Sequence, residues 1–377
     1  MNITYIAFAR MPTEKAHGLT IAKSCESFVR AGAEVTLVIP RRKTTVQGDL
    51  FEAYGLERNF KVVEIGVPDL VGRFGSSAVA FWLHYYLFFV AVKARILFGS
   101  REQILYTREA PLCLFRWYGF KVVLESHMIP KRRGLYFFLA RRAHRVVVIS
   151  KALKGAFVKA GFDEGKLLVA PSGVDLSVFD IDISKDDARR QLELPQGAHI
   201  AVYTGNFTTM GQDKGLSDII EALKSAPGIL FVGVGGSEKD IARYETQAKQ
   251  AGVADRVILR GYAPQKTLAV YQKAADVLLM PFPDTPHYRS HMSPVKMFEY
   301  MASGRPIIAS DLPTIREVLN DRNAVVIPPG DSRRLSEAML TLAAAGPESE
   351  ALAESAKSTV AAFAWSERAK RIFKFVA

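Results

Sequence analysis

The chain has 377 residues, 49% of them hydrophobic and 23% charged, with a formal net charge of +12. At roughly 100–200 residues per domain this is material for two domains, and the composition excludes a disordered or coiled-coil chain. Two cysteines, Cys25 and Cys113, exclude a disulfide framework and a four-cysteine metal site, and fit a reducing compartment.

In chain order, Ile3–Ala9 predicts a short strand rather than a leader, because no basic region precedes it. Thr20–Ala31 has helical spacing and ends at Gly32, and Glu34–Pro40 and Phe60–Val67 have strand character. Ala78–Val92, AVAFWLHYYLFFVAV, has His84 as its only strongly polar residue. Fifteen residues rise about 22 Å as a helix, short of a hydrocarbon core about 30 Å thick. A core helix stopped by Lys93 and Arg95 is therefore expected. The aromatics Phe81, Trp82, Tyr85, Tyr86, Phe88 and Phe89 keep a membrane-embedded surface as the second reading.

Ile104–Thr107, Lys121–Glu125, Arg145–Ile149 and Leu167–Ala170 are short runs rich in β-branched residues, typical of buried parallel strands. Ser150 suits the N-cap of a helix from Lys151. Residues 175–198 are acidic and end in Pro and Gly, which suggests a linker with one short helix. Alternation then restarts, from Ile200–Thr204 to Ala324–Ile327, and predicts a second parallel sheet with helices on both faces. Ser366 is the expected cap of a last helix. Residues 1–175 hold 26 Lys and Arg against 14 Asp and Glu, so the whole +12 lies in the first half. Such asymmetry points to an anionic partner for that half.

The most informative stretch is Ser293–Ala309, SPVKMFEYMASGRPIIA. Ser293 followed by Pro294 predicts a helix start, with Lys296 at its third position, where the dipole favours an anion. Free N–H groups and an ammonium there make a phosphate site. Glu299 shares the helix face of Val295, where a carboxylate can accept ribose hydroxyls. Gly205–Gly215, GNFTTMGQDKG, follows a strand, and its Lys214 is the second phosphate candidate. His127 sits just past the strand KVVLES, where ligands of α/β folds collect. Ala16–His17–Gly18 follows the first strand, and Gly18 permits close backbone approach.

Several other readings weaken. GVGG at 233–236 lacks the third glycine of a dinucleotide fingerprint. Asp180–Ile181–Asp182 is formally a DxD motif but lies in the expected linker. No zinc spacing, Walker or GxSxG motif occurs, and no repeat.

With those residues in hand, the chain resembles the GT-B, family 4 retaining glycosyltransferases (glycosyltransferase group 1). The resemblance is carried by KAHGLTIAKSCESFVRAGAEVTLVIP, VVVISKALK, VAPSGVD and SPVKMFEYMASGRPIIASDLPTIREVL. It implies two Rossmann-like domains facing each other across a cleft: an acceptor domain at 1–175, a nucleotide-sugar domain at 176–360, and a helix at 361–377 crossing back. It implies Glu299 on the ribose, with Ser293, Pro294, Val295, Lys296 and Lys214 on the donor phosphates. His127 and Gly18 would lie near the donor sugar, and Arg260–Gly261–Tyr262 would hold the base. His291 stands where the family has its first glutamate and is placed on the donor sugar, and Asn206 stands where many members carry a phosphate-binding arginine and is placed on the donor phosphates. His127, Lys214 and Glu299 are the residues expected to carry catalysis.

The implied function is retaining, metal-independent transfer from a UDP- or GDP-sugar to a glycan or lipid-linked acceptor. No cofactor or metal is expected, and no nucleic acid partner. The setting would be cell-surface polysaccharide or glycolipid synthesis. The expected location is the cytoplasm, peripheral at the inner face of the membrane, with Lys131–Arg133, Arg141, Arg142 and Arg145 as lipid-facing charges. A same-fold sugar-nucleotide epimerase, an NAD(P)-dependent oxidoreductase and a non-catalytic sugar-nucleotide-binding homologue are the competing classes.

Overall fold

The computed structural model describes every residue except 45, 71–76 and 210. The chain forms two compact units, Met1–Pro171 with Trp365–Ala377, and Ser172–Ala364. The first unit thus ends four residues before the expected boundary at 175.

In the first domain the order is β1 (Asn2–Ile6), α1 (Ala16–Arg30), β2 (Glu34–Pro40), α2 (Leu50–Tyr54), β3 (Lys61–Ile65), α3 (Ala78–Leu97), β4 (Ile104–Thr107), a 3-10 helix (Ala110–Tyr118), β5 (Lys121–Ser126), α4 (Arg133–Ala140), β6 (Arg145–Val148), α5 (Lys151–Lys159) and β7 (Leu167–Val169). The seven strands form one parallel sheet in the order β3-β2-β1-β4-β5-β6-β7. The β-branched runs form its centre because both faces are covered: every residue of β4 is buried, as are Val122–Ser126 of β5. Ser150 caps α5, its hydroxyl accepting from the Leu153 N–H.

The second domain runs through α6 (Leu176–Phe179), α7 (Lys185–Gln191), β8 (His199–Thr204), the hairpin β9 (Thr208–Thr209) and β10 (Gln212–Asp213), α8 (Leu216–Leu223), β11 (Ile229–Val234), α9 (Glu238–Gln250), β12 (Val257–Arg260), α10 (Gln265–Ala274), β13 (Val277–Met280), α11 (Pro286–Ser290), α12 (Val295–Ser303), β14 (Ile307–Ser310), α13 (Pro313–Arg316), β15 (Val325–Ile327), α14 (Ser332–Ala343) and α15 (Pro347–Val360). Its parallel six-stranded sheet has the order β12-β11-β8-β13-β14-β15. The last helix, α16 (Trp365–Val376), returns to the first domain and packs on α1. Both sheets are Rossmann-like. Strand order reverses between β1 and β4 in one and between β8 and β13 in the other, which is where open α/β sheets collect ligands at their strand ends.

Three expectations need correction. Residues 175–198 are not a free linker. They form two short helices, and Phe179 and Ala188 are fully buried in the second core. Arg189 and Lys185 both pair with Asp276 at 2.7 Å, which ties the segment to the sheet. Ser366 does not precede the last helix but lies within it, because the helix starts at Trp365. The aromatic helix does not stop at Val92. It continues to Leu97, past Lys93 and Arg95, and buries only Ala80, His84, Phe88, Val92 and Ile96.

Candidate functional site

In the second domain the ends of β8 and β13 carry the charged groups. Beyond β8 the chain turns at Gly205, at φ +102°, with its N–H on the Val234 carbonyl at 2.8 Å. The turn abuts Gly235, where a Cβ would meet the Gly205 backbone at 2.7 Å, so only glycine fits there. Asn206 follows the turn, and its carbonyl accepts from the Tyr203 hydroxyl at 3.0 Å. The loop to Lys214 includes residue 210, which lies outside the described residues. Lys214 itself lies outside any helix. It precedes Gly215, the N-cap of α8, and the Asp213 carboxylate takes the N–H groups of Gly215, Leu216 and Ser217 at 2.7–3.1 Å. That helix end is therefore already satisfied by an acid, and Lys214 rather than the helix is free to meet an anion.

The start of α12 also differs from expectation. Pro294 is the N-cap, with no side-chain cap, so Lys296 is the second helical residue. The Ser293 hydroxyl is occupied elsewhere: it accepts from Ser172 N–H at 2.8 Å, while the Ser172 hydroxyl donates to the Ser293 carbonyl at 2.9 Å. Val295 begins the helix, whose first N–H groups carry no side-chain cap.

Lys296 is buried. Its ammonium lies 3.2 Å from the centre of the Tyr203 ring, under the Gly205 turn, and has no hydrogen-bond partner among the described residues. The ring face offers some compensation. Burial, and then the Lys214 ammonium, push Lys296 well below the usual lysine value. Burial holds Lys214 down at about 8. One turn further, Glu299 is pushed up to about 7 by burial, against the opposing pull of Lys296 and of bonds with Gln265 and Gln272. Tyr300 fixes α12 on the sheet: its hydroxyl accepts from Thr204 N–H at 2.8 Å, at the end of β8.

His291 ends α11, with its N–H on the His287 carbonyl at 2.9 Å. Burial, then His291 and Lys214, lower the titration of His287, so these three side chains lie near one another. Two lysines and two histidines thus gather at one sheet end. Arg260, Gly261 and Tyr262 follow β12. The Arg260 carbonyl is taken by Gly235 and Gly236 N–H at 3.0 and 3.2 Å, so GVGG serves as backing for this loop, and the Tyr262 ring is 59% exposed.

In the first domain the centre is Glu125, at the end of β5 and fully buried. One carboxylate oxygen meets His127 Nε2 at 2.5 Å and Arg108 at 2.8 Å; the other meets Arg368 of α16 at 2.9 Å and the Tyr106 hydroxyl. Burial would raise the Glu125 carboxyl, but Arg368 and Arg108 outweigh it and hold it well below the usual range. Burial, and then Arg108, lower His127 to about 4, so its ring is neutral. An ionised carboxylate only accepts, which places the proton on Nε2 and leaves Nδ1 as an acceptor.

Gly18 lies inside α1 rather than in the preceding loop. A Cβ there would stand 2.2 Å from the Tyr54 hydroxyl, which bonds both the N–H and the carbonyl of Thr13. Its smallness thus has a packing cause. Arg145 is not surface-directed as expected: it donates to the Phe375 carbonyl of α16 at 3.1 Å.

Residues 198–345 match the family described as "Glycosyl transferases group 1". The fold is GT-B. The matched span holds Lys214, His291, Lys296, Glu299 and the 260–262 loop, whereas His127 and Glu125 lie outside it. The chain is 31% identical over 224 residues to the D-inositol 3-phosphate glycosyltransferase of Streptosporangium roseum, covering 56% of this chain and 49% of that protein. It is 29% identical over 199 residues to the putative teichuronic acid biosynthesis glycosyltransferase TuaC of Bacillus subtilis, covering 52% and 45%. The chain thus spans about half the length of these curated relatives. Sucrose-phosphate synthase from Thermosynechococcus elongatus shares the fold over 99% of this chain and 97% of its own, with TM-score 0.76 and 20% identity. Anabaena HepE, solved in complex with UDP and glucose, gives TM-score 0.73 and 16% identity over 99% and 98%.

Sequence reasoning missed His287, Tyr300, Glu125, Arg108 and Arg368. Glu125 stands two residues before His127, a spacing that puts both on one face of an extended chain. Arg368 has no local signal, since its partner is 243 residues away.

Proposed function

We propose that the protein is a retaining glycosyltransferase that moves a sugar from a nucleoside-diphosphate sugar to a hydroxyl of a glycan or lipid-linked acceptor. The observation that carries this reading is the buried Lys296 ammonium, without a hydrogen-bond partner among the described residues, near Lys214 at the ends of β8 and β13. Such a cation is costly to leave alone and is compensated by an arriving anion. Lys214, Lys296 and the uncapped N–H groups of α12 hold the diphosphate, and Glu299 accepts the ribose hydroxyls. The same groups stabilise charge developing on the departing diphosphate, as preorganised donors do. They supply the positive charge that a divalent metal would otherwise provide, so transfer is metal-independent. Neutral His127 offers Nδ1 to a sugar hydroxyl.

No nucleophile is assigned, and the reading is front-face transfer in which the leaving phosphate takes the acceptor proton. The test is release of nucleoside diphosphate from UDP- and GDP-sugars in the presence of acceptor-bearing membrane extract, with the product anomer read by NMR. Turnover that survives EDTA and falls with Lys214→Ala and Glu299→Ala supports the proposal. Full activity in both variants, or an inverted anomer, refutes it.

A further inference from the structure

Helix α3 has two apolar faces, and the domain core covers only one. Ala80, His84, Phe88, Val92 and Ile96, spaced by four, are buried, three of them in a core cluster with Ile6, Val38 and Leu105. The opposite face carries Val79, Trp82, Leu83, Tyr86 and Val90, between 46% and 77% exposed, with no charge before Lys93. Phe98, just beyond the helix, is 94% exposed.

The face continues onto its neighbours. The Lys93 ammonium lies over the Tyr118 ring at 5.1 Å, and Tyr118 and Trp117 end the 3-10 helix exposed. Arg142 covers Phe138 at 3.7 Å and Trp117 at 5.8 Å, which brings in α4 with its exposed Leu135 and Phe138. Lys131, Arg132 and Arg133 stand exposed at the start of α4. Residues 78–145 contain twelve Lys and Arg and three Asp and Glu. Of the three acids, Glu125 is buried and Glu109 partly so, which leaves Glu102 exposed.

We propose that this face docks on an anionic lipid bilayer, with α3 lying in the interface plane. Aromatic rings paired with cations suit the headgroup level, where Trp and Tyr anchor and basic side chains meet anionic lipid. The helix is long and apolar enough to cross a membrane. Its buried face, however, belongs to the domain core, so it lies on the bilayer and does not span it. Charge complementarity selects the occupant. A second copy would set one strongly positive face against another, and a nucleic acid would leave the Val79–Leu83–Val90 stripe uncovered.

The full chain is tested by flotation with vesicles of phosphatidylcholine alone and of phosphatidylcholine with phosphatidylglycerol. Brominated lipid serves as a tryptophan quencher. Trp82 and Trp117 lie on the face, and Trp365, the third tryptophan, is buried as an internal control. The chain should float only with the anionic vesicles, lose binding at high salt, and show partial quenching that Trp82→Phe with Trp117→Phe removes. The pair Trp82→Ser and Tyr86→Ser, and separately the triple Lys131→Glu, Arg132→Glu, Arg133→Glu, should each weaken partitioning at least about tenfold. Melting should be unchanged, because all five side chains are exposed. No flotation of the wild type, equal flotation of the variants, or a dimer that the Trp82/Tyr86 pair dissociates would overturn the proposal. Vesicle binding requires no sugar donor, so its outcome stands apart from that of the turnover assay.

Discussion

Lys296 and Glu299 sit one helical turn apart, and burial shifts both, Lys296 well below the usual lysine value and Glu299 up to about 7. Replacing Lys296 by Met removes a buried ammonium without a partner, so the unliganded protein should melt at the same temperature or higher. Nucleoside-diphosphate affinity should fall about 10- to 100-fold, the scale of one charged hydrogen bond. Calorimetric titration beside a melting curve separates the two effects, and a loss of both stability and affinity would mean that the lysine is structural. The pH dependence follows from the same groups. Lys214, lowered to about 8, loses its charge above that pH, and Glu299, raised to about 7, loses its carboxylate below. Donor KM should therefore be lowest between about 7 and 8, and Glu299→Gln should flatten the acid limb. Stability carries the opposite sign for Glu299. Its folded value lies above the unfolded one, so the stability it contributes is present below about 4.5 and is lost as pH rises through 7. Glu299→Gln should thus raise the melting temperature at pH 8 and leave it nearly unchanged at pH 4.

At the scale of elements, two side chains act as fasteners. Tyr300 bolts α12 to the end of β8 through the buried Thr204 N–H. Tyr300→Phe leaves that donor unpaired and should cost about 1–3 kcal/mol, read as an earlier urea midpoint with unchanged slope. Arg368 fastens α16 to Glu125, both of them buried. Breaking a buried pair by removing one partner costs about 3–5 kcal/mol. Arg368→Met and Glu125→Gln should each do so, and their combination should cost clearly less than the sum. NMR titration should find His127 higher in Arg368→Met, because a nearby cation has gone. An unmoved His127 would disconnect α16 from the histidine.

These fasteners mark the limit of sequence reading. The short apolar runs of β4, β5, β13 and β14 and the Ser150 cap were legible because their causes are local: burial on two faces, or a hydroxyl three residues from its N–H. The start of α12 was not legible. Its Ser293 is claimed by Ser172, 121 residues away, and a cap motif cannot report a distant competitor. Phe179 and Arg189 likewise draw their burial from partners in the sheet that their acidic neighbours conceal. Lys296, Lys214 and Glu299 could be picked out because their residue types are odd for their positions, whereas Glu125 and Arg368 look ordinary until the fold brings them together.

At the scale of the whole molecule, two parallel sheets each reverse their strand order once, and each reversal lies beside one of the two charged clusters. The chain enters the second domain at Ser172 and leaves it at Ala364. Close to those points Val174 and Ala364 form a parallel bridge, and the Val174 N–H meets the Phe363 carbonyl at 3.0 Å. The second domain therefore begins and ends at one place, as an insertion does, and the first domain is written in two pieces of very unequal length. A fragment of residues 172–364 has its ends already clasped and should melt cooperatively by itself. A chain stopped at residue 364 lacks Arg368 and would leave the buried Glu125 carboxylate with one of its two guanidinium partners, Arg108. Ribosomal synthesis imposes the same condition: the first domain cannot complete its ion network until residues 365–377 emerge, after the whole insertion has been made. The larger piece must wait for the smaller, and a truncated product is penalised in the half of the protein that was made first.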